Sequence, residues 1–214
     1  MEAEDFVNHY LVKKLKVRHV VIGYDHRFGK EGRASVEDFM SFGKKYGFSV
    51  EKIDAQSVGG NIISSTKIRE FLSEGKISES NSILGYNYKI FGTVIKGDKI
   101  GRKIGFPTAN IEVKEKCKLL PKDGVYMVLG HIKRDAYYGI MNIGKRPTFG
   151  KGEKRVECHF LDFGEDIYGE EIFLEVFKYI REERCFKSME DLKLQIEKDR
   201  QEVLQRLSSG AGKK

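Results

Sequence analysis

The chain has 214 residues, 40% of them hydrophobic and 33% charged, enough for one large domain or two small ones and too apolar for wholesale disorder. Its 39 basic and 32 acidic residues leave a net charge of +7, but the lysines are scattered rather than banked, which argues against a nucleic-acid surface and suits a site for nucleotide phosphates. No run approaches the roughly 18–20 apolar residues of a membrane helix, and 3 cysteines without a C-x-x-C pair argue against a disulfide framework or zinc site and fit a reducing cytoplasm.

In chain order, Phe6, Val7, Tyr10, Leu11 and Leu15 recur at helical spacing, and this acidic, amphipathic opening does not read as a secretory signal. "HVVIGYD", from His19 to Asp25, is a short β-branched run like a strand buried on both faces. Ser35 precedes Asp38 as a capping box, opening a helix through Val36, Phe39, Met40 and Tyr46 that Gly47 stops. Gly43 weakens that helix, since an interior glycine costs about 1 kcal/mol against alanine. "FSVEKI" alternates like a strand, and the helix–strand order predicts an α/β layer with parallel strands. In "ISSTKIREFL", Ser64, Ser65 and Thr66 open a helix with Arg69 one turn on. The group serves either as a plain Ser/Thr cap or as an anion seat at a helix N-terminus.

From Tyr86 the texture changes to short alternating runs: "YKIFGTVIKGD", "GVYMVLGHI", "YYGIMNIG", "VECHFLDF" and "EIFLEVFKYI". These predict an antiparallel sheet or small barrel. Ser188 and Asp191 cap a closing helix whose Met189, Leu192, Ile196, Val203 and Leu207 line one side. The expected organisation is an α/β domain over residues 1–85, a β domain over 86–207 and a flexible tail over 208–214.

"GDKIGRKIGFPTAN" is glycine-rich and basic without the P-loop order. Pro107 suits a strand entry, and Thr108 and Asn110, two residues apart, point to one face as neutral, hard oxygen donors of the kind Mg²⁺ shares with phosphates. Gly97 lets backbone amides approach a polyphosphate and Arg102 supplies charge; an ordinary glycine-rich hairpin reads equally from composition. In "RVECHFLDF", Glu157 and His159 share a strand face opposite Val156, Cys158 and Phe160. The pair is either a general base with an imidazole neighbour or a solvated outer face. "NIGKRPTFG" reads as a loop, and "YIREERCF", holding Arg181, Arg184 and Phe186, as a solvated charge run.

Together and in this order, "GDKIGRKIGFPTAN", "LLPKDGVY", "NIGKRPTFG", "VECHFLDF" and "FKSMEDLKLQIEKD" resemble the riboflavin kinase module of the bacterial bifunctional riboflavin kinase/FMN adenylyltransferases. "VIGYDHRFGKEGRAS" and "ISSTKIREFL" resemble the later part of the same family's adenylyltransferase module. The resemblance implies an α+β protein: a partial, Rossmann-like nucleotidyltransferase layer, then a six-stranded antiparallel barrel with a C-terminal helix. It implies Thr108 and Asn110 holding Mg²⁺ and ATP phosphates, Gly97 and Arg102 lining the nucleotide loop, and Glu157 as base on the ribityl 5′-hydroxyl. Arg181, Arg184 and Phe186 would border riboflavin. Ser64, Ser65, Thr66 and Arg69 would be the remnant of an ATP-phosphate site. Nothing ahead of "EDFVNHYLVKKL" supplies that module's first strand and glycine/histidine phosphate loop, so the expectation is FMN formation without FAD formation. The alternatives are a fully bifunctional enzyme whose first segment stands elsewhere and a silent flavin or nucleotide binder. Partners would be ATP, riboflavin and FMN, without nucleic acid or membrane; no motif speaks to oligomeric state.

Overall fold

A computed structural model describes residues 1–97, 99–115, 117–145 and 154–209, without the side chains of Asn61 and Lys145. Residues 146–150 of "NIGKRPTFG" and 210–214 of the expected tail lie outside the described residues. The backbone divides into two compact units, Met1–Ile63 and Ser64–Lys214.

In the first unit, α1 (Ala3–Phe6) runs on into a π-helical segment, Val7–Lys14, and leads to β1 (His19–Gly23). A 3₁₀ turn (Lys30–Gly32), α2 (Val36–Tyr46) and β2 (Ser49–Ile53) follow, then a small hairpin, β3 (Ser57–Val58) and β4 (Asn61–Ile62), that the sequence reading did not foresee. β1 and β2 are parallel, with His19 opposite Ser49 and Gly23 opposite Ile53. The capping box forms as expected: Ser35 Oγ accepts the Asp38 N–H while the Asp38 carboxylate accepts the Ser35 N–H at 2.8 Å. Val7, Ile22, Val36, Phe39 and Phe48 make the core of this unit. Val21, expected buried, is 53% exposed, because the helices cover only the face of the strand that carries Ile22.

Gly43 also has a reason that spacing did not show. A Cβ there would sit 2.7 Å from the Phe48 carbonyl oxygen and 2.9 Å from Val50 Cγ2. The glycine lets α2 lie directly on the turn into β2. Gly43→Ala should therefore destabilise the unit by about 1–3 kcal/mol through overpacking, despite a helix-propensity gain of about 1 kcal/mol. Hydrogen exchange of the α2 amides checks this, and slower exchange in the variant would refute it.

The second unit opens with α3 (Ser65–Glu74) and α4 (Ile77–Leu84). Then come β5 (Tyr88–Ile95), a short α5 (Ile100–Lys103), β6 (Ala109–Val113), β7 (Gly124–Ile132), β8 (Asp135–Lys145), β9 (Lys154–Phe160), β10 (Glu171–Arg181) and α6 (Met189–Ser208). The six strands close a barrel in the order β10-β5-β6-β9-β8-β7, every neighbouring pair antiparallel. Closure removes the sheet edges, and alternation sends Ile90, Ile111, Met141, Val156, Cys158 and Leu174 inward. The fold class is that expected, a small parallel α/β layer followed by a six-stranded barrel with a C-terminal helix.

α3 and α4 pack with the barrel although they stand ahead of Gly85: Leu72 and Ile77, each 1% exposed, belong to the barrel's core cluster. Asn81 fixes α4 in place, donating to the Val176 carbonyl at 2.8 Å and accepting from the Tyr88 N–H at 2.9 Å. α6 starts at the expected Ser188 cap and lies outside the barrel, where Val203 is fully buried beside Val125 and Met127. Met189 departs from the predicted stripe at 45% exposure, and half-burial in α6 begins only at Leu192. Among the described residues no helix is long and apolar enough to cross a membrane.

Candidate active site

Gly97 follows β5 and α5 comes next, and Gly101 lets that short helix press on the segment ahead of β6. A Cβ on Gly101 would lie 2.2 Å from the Phe106 carbonyl oxygen and 3.3 Å from Thr108 Cγ2. A Cβ on Gly97 would lie 2.0 Å from Asn110 Nδ2 and 2.9 Å from its Oδ1. Both glycines are thus required by close approach, and both approaches hold the "PTAN" residues. Ala109 and Ile111 pack toward the barrel core, so Asn110, between them, points outward.

Glu157 also stands on the outer wall, since its neighbours Val156 and Cys158 are buried at 2% and 0% exposure. It is not remote from the "PTAN" oxygens. In register, Asn110 of β6 and Asn142 of β8 lie directly opposite Glu157 from either side. Directly opposed residues bring their Cβ atoms to roughly 4.5–5.5 Å. The row Asn110–Glu157–Asn142 is a half-buried polar stripe across three strands.

Three cavities share Thr108; Asn110 lines one of them, and Glu157 and Asn142 line another. One of about 390 Å³ is bounded by Arg102, Thr108, Phe163, Asp166 and Tyr168. A narrow cleft of about 20 Å³ joins Gly97, Lys99, Arg102, Thr108 and Asn110. The third, about 270 Å³, places Thr108, Glu157 and His159 against an apolar wall of Ile104, Leu192 and Ile196, with Arg184 and Phe186 at its rim. A polar cleft with basic groups thus shares Thr108 with a partly apolar pocket whose lining includes the Glu157 carboxylate.

The rim is held from two sides. Asn142 Nδ2 donates to Glu183 Oε1 at 3.2 Å, and a Cβ on Gly144 would sit 2.0 Å from that oxygen, so Glu183 rests on a bare stretch of β8. Arg181 lines the third cavity, but its guanidinium is already engaged. Its Nε and Nη2 donate to the Asp199 carboxylate at 2.9 and 2.7 Å, and Nη1 donates to the Glu182 carbonyl at 2.9 Å. Asp199, 2% exposed, also accepts from Gln195 Nε2 at 2.9 Å. His159 faces the same cavity; burial holds its pKa below the usual histidine value against the opposing effect of the Pro107 carbonyl.

Ser64, Ser65, Thr66 and Arg69 fall together at the start of α3. Ser64 Oγ accepts the Lys67 N–H at 3.2 Å as a helix cap, and Arg69 Nη2 donates to Thr66 Oγ1 at 3.3 Å. These residues line none of the three cavities at the barrel. Sequence reasoning did not single out Asn142, Glu183 or Asp199. Asn142 carried a usable signal, since a polar residue in the strand run "YYGIMNIG" breaks its apolar texture; Asp199 carried none, being one acid on a charged helix.

Comparison with known proteins bears on this geometry. Residues 84–207 match the riboflavin kinase family and residues 1–67 match the FAD synthetase family. The bifunctional riboflavin kinase/FMN adenylyltransferase of Listeria monocytogenes is 41% identical over 95% of this chain and 64% of its own length. The protein of the same description from Haemophilus influenzae is 39% identical over 92% of this chain and 64% of its own. The chain thus spans under two thirds of the length of these curated relatives. A crystal structure described as a macrolide-efflux protein from Streptococcus pneumoniae superposes with a TM-score of 0.81 at 31% identity, covering 94% of this chain and 64% of that one. The family match takes in the whole barrel, the "PTAN" segment, the Glu157 stripe and α6, and on that extent the chain belongs to the riboflavin kinase family.

Proposed function

We propose that this chain transfers the terminal phosphoryl group of ATP to the ribityl 5′-hydroxyl of riboflavin, giving FMN and ADP. The observation that carries the reading is that Thr108 is shared by the polar cleft and the partly apolar pocket, while Glu157 lines that pocket directly opposite the cleft's Asn110. Phosphoryl transfer asks a protein mainly for alignment and charge neutralisation. The larger cavity beside Arg102 and Thr108 has the room for a polyphosphate, the narrow cleft of Gly97, Thr108 and Asn110 next to it suits a cation, and the pocket walled by Ile104, Leu192, Ile196 and Phe186 suits a flat aromatic ring. The bond from the γ-phosphorus to its bridging oxygen breaks as the 5′-oxygen attacks. Glu157 accepts the hydroxyl proton, which passes on to solvent.

The residues present fit Mg²⁺. Thr108 and Asn110 offer a hydroxyl and an amide carbonyl, and the bare Gly97 backbone fixes the Asn110 amide in its cradle. Mg²⁺ takes few protein ligands and keeps its waters and phosphates, so two neutral oxygen donors suffice for it. When bound, Mg²⁺ would neutralise charge on the ATP phosphate oxygens. Thr108→Ala should then weaken ATP binding about tenfold in the presence of Mg²⁺, roughly 1.4 kcal/mol, with little change in EDTA. Isothermal titration calorimetry under both conditions checks this, and equal weakening in both would remove Thr108 from the metal.

The whole reading is tested by incubating the protein with riboflavin, ATP and Mg²⁺ and resolving the products. FMN alone supports the kinase with a partial adenylyltransferase segment over residues 1–67. FMN with FAD adds the second activity of the curated relatives, and neither product leaves a binder of flavin or nucleotide. The described cysteines are all free, which suits the reducing cytoplasm where we place the enzyme.

A further inference from the structure

We infer that His159 is a positioning residue that ties the Pro107–Thr108 segment to β9 and so fixes the spacing between Thr108 and Glu157. The inference rests on the kinase reading and adds to it a residue that touches neither phosphate nor metal. The β6–β9 ladder pairs Asn110 with Glu157 and Ala109 with Cys158, and there it stops. The next position would set Thr108 against His159, but Thr108 is already outside the strand, and Pro107 has no N–H to carry a ladder on. The His159 side chain takes over at that point. Its Nδ1 lies 2.9 Å from the Pro107 carbonyl oxygen, and its ring packs edge-on against Phe106 at 5.3 Å. Phe106 is itself only 9% exposed, so the clasp has a fixed seat.

The reach is across 52 residues of chain, from the strand that carries the base to the segment that carries the metal donor. α5 holds the segment from its other side through the Phe106 N–H, which donates to the Gly101 carbonyl at 2.8 Å, and the clasp is what ties it to β9. The charged groups acting on the ring are Arg200 and Glu197 of α6, with Glu157 two residues away on β9. Burial disfavours the charged form of the ring, and a neutral ring with hydrogen on Nδ1 donates to the carbonyl.

Two variants separate positioning from bulk. His159→Phe keeps the ring and its packing but removes the donor, and His159→Asn keeps a donor within reach of the carbonyl. Displacement of a reacting group by about 1 Å can cost on the order of 10²-fold in rate. The expected result is a 10- to 100-fold lower kcat for His159→Phe, a riboflavin KM within about twofold of wild type, and recovery of most of the kcat in His159→Asn. Wild-type kcat in His159→Phe, or equal loss in both variants, overturns the inference while leaving the kinase reading intact. Absence of FMN formation by the wild type overturns both. Long-range ¹⁵N–¹H correlation on the wild type needs no variant to fold: hydrogen on Nδ1 of His159 supports the clasp, and hydrogen on Nε2 alone overturns it.

Discussion

Glu157→Gln is expected to lower FMN formation by about 10²–10⁴-fold while riboflavin and Mg-ATP still bind. The range is that of general-base assistance, or roughly 3–5 kcal/mol in the barrier. Glutamine keeps the length and planarity of glutamate, so the stripe between Asn110 and Asn142 is filled as before, and only the capacity to take a proton goes. A primary alcohol cannot ionise unaided near neutral pH, so the loss falls on kcat and not on either KM. Steady-state kinetics with calorimetric binding of both substrates separates the two. A variant with wild-type kcat would remove Glu157 from proton transfer; one that no longer binds riboflavin would make it a wall of the pocket.

The local rules written into the sequence were sufficient for most of the second unit. Alternation across "RVECHFLDF" sorted Val156, Cys158 and Phe160 from Glu157 and His159, and the barrel puts the first three in its core. The Ser35 and Ser188 caps were equally legible, because a capping residue acts on an amide three positions away. What could not be read was anything set by a partner distant in sequence. Gly43 looked like a flaw in α2 until the Phe48 carbonyl came to lie beneath it. Arg181 read as part of a solvated charge run, but its guanidinium is held by a carboxylate 18 residues on. Val21 misled in the opposite sense: a β-branched run signals burial on both faces, yet one face of β1 is open. The site shows the same division: spacing picked out Thr108 and Asn110, which line one cleft although Thr108 stands just ahead of β6, whereas opposing Asn110 and Glu157 required the register of β6 on β9.

Asp199→Ala is expected to destabilise the barrel unit by roughly 3–5 kcal/mol, the range for breaking a buried ion pair from one side. The carboxylate is 2% exposed and holds the guanidinium of Arg181, itself only 14% exposed, so its removal strands a buried cation at the base of α6. At about 2–4 °C per kcal/mol for a chain of this size, the melting temperature should fall by about 10 °C. Leu192 and Ile196 of the same helix wall the pocket assigned to riboflavin, so the riboflavin KM should rise before kcat changes. The decisive comparison is the pair Arg181→Met with Asp199→Leu. Replacing both ions by apolar groups of similar volume leaves no stranded charge and should return most of the stability. If that double variant also regains its riboflavin KM, Arg181 acts by holding α6 in place. If it melts like wild type yet fails to bind riboflavin, the guanidinium contacts the flavin as the family resemblance implied.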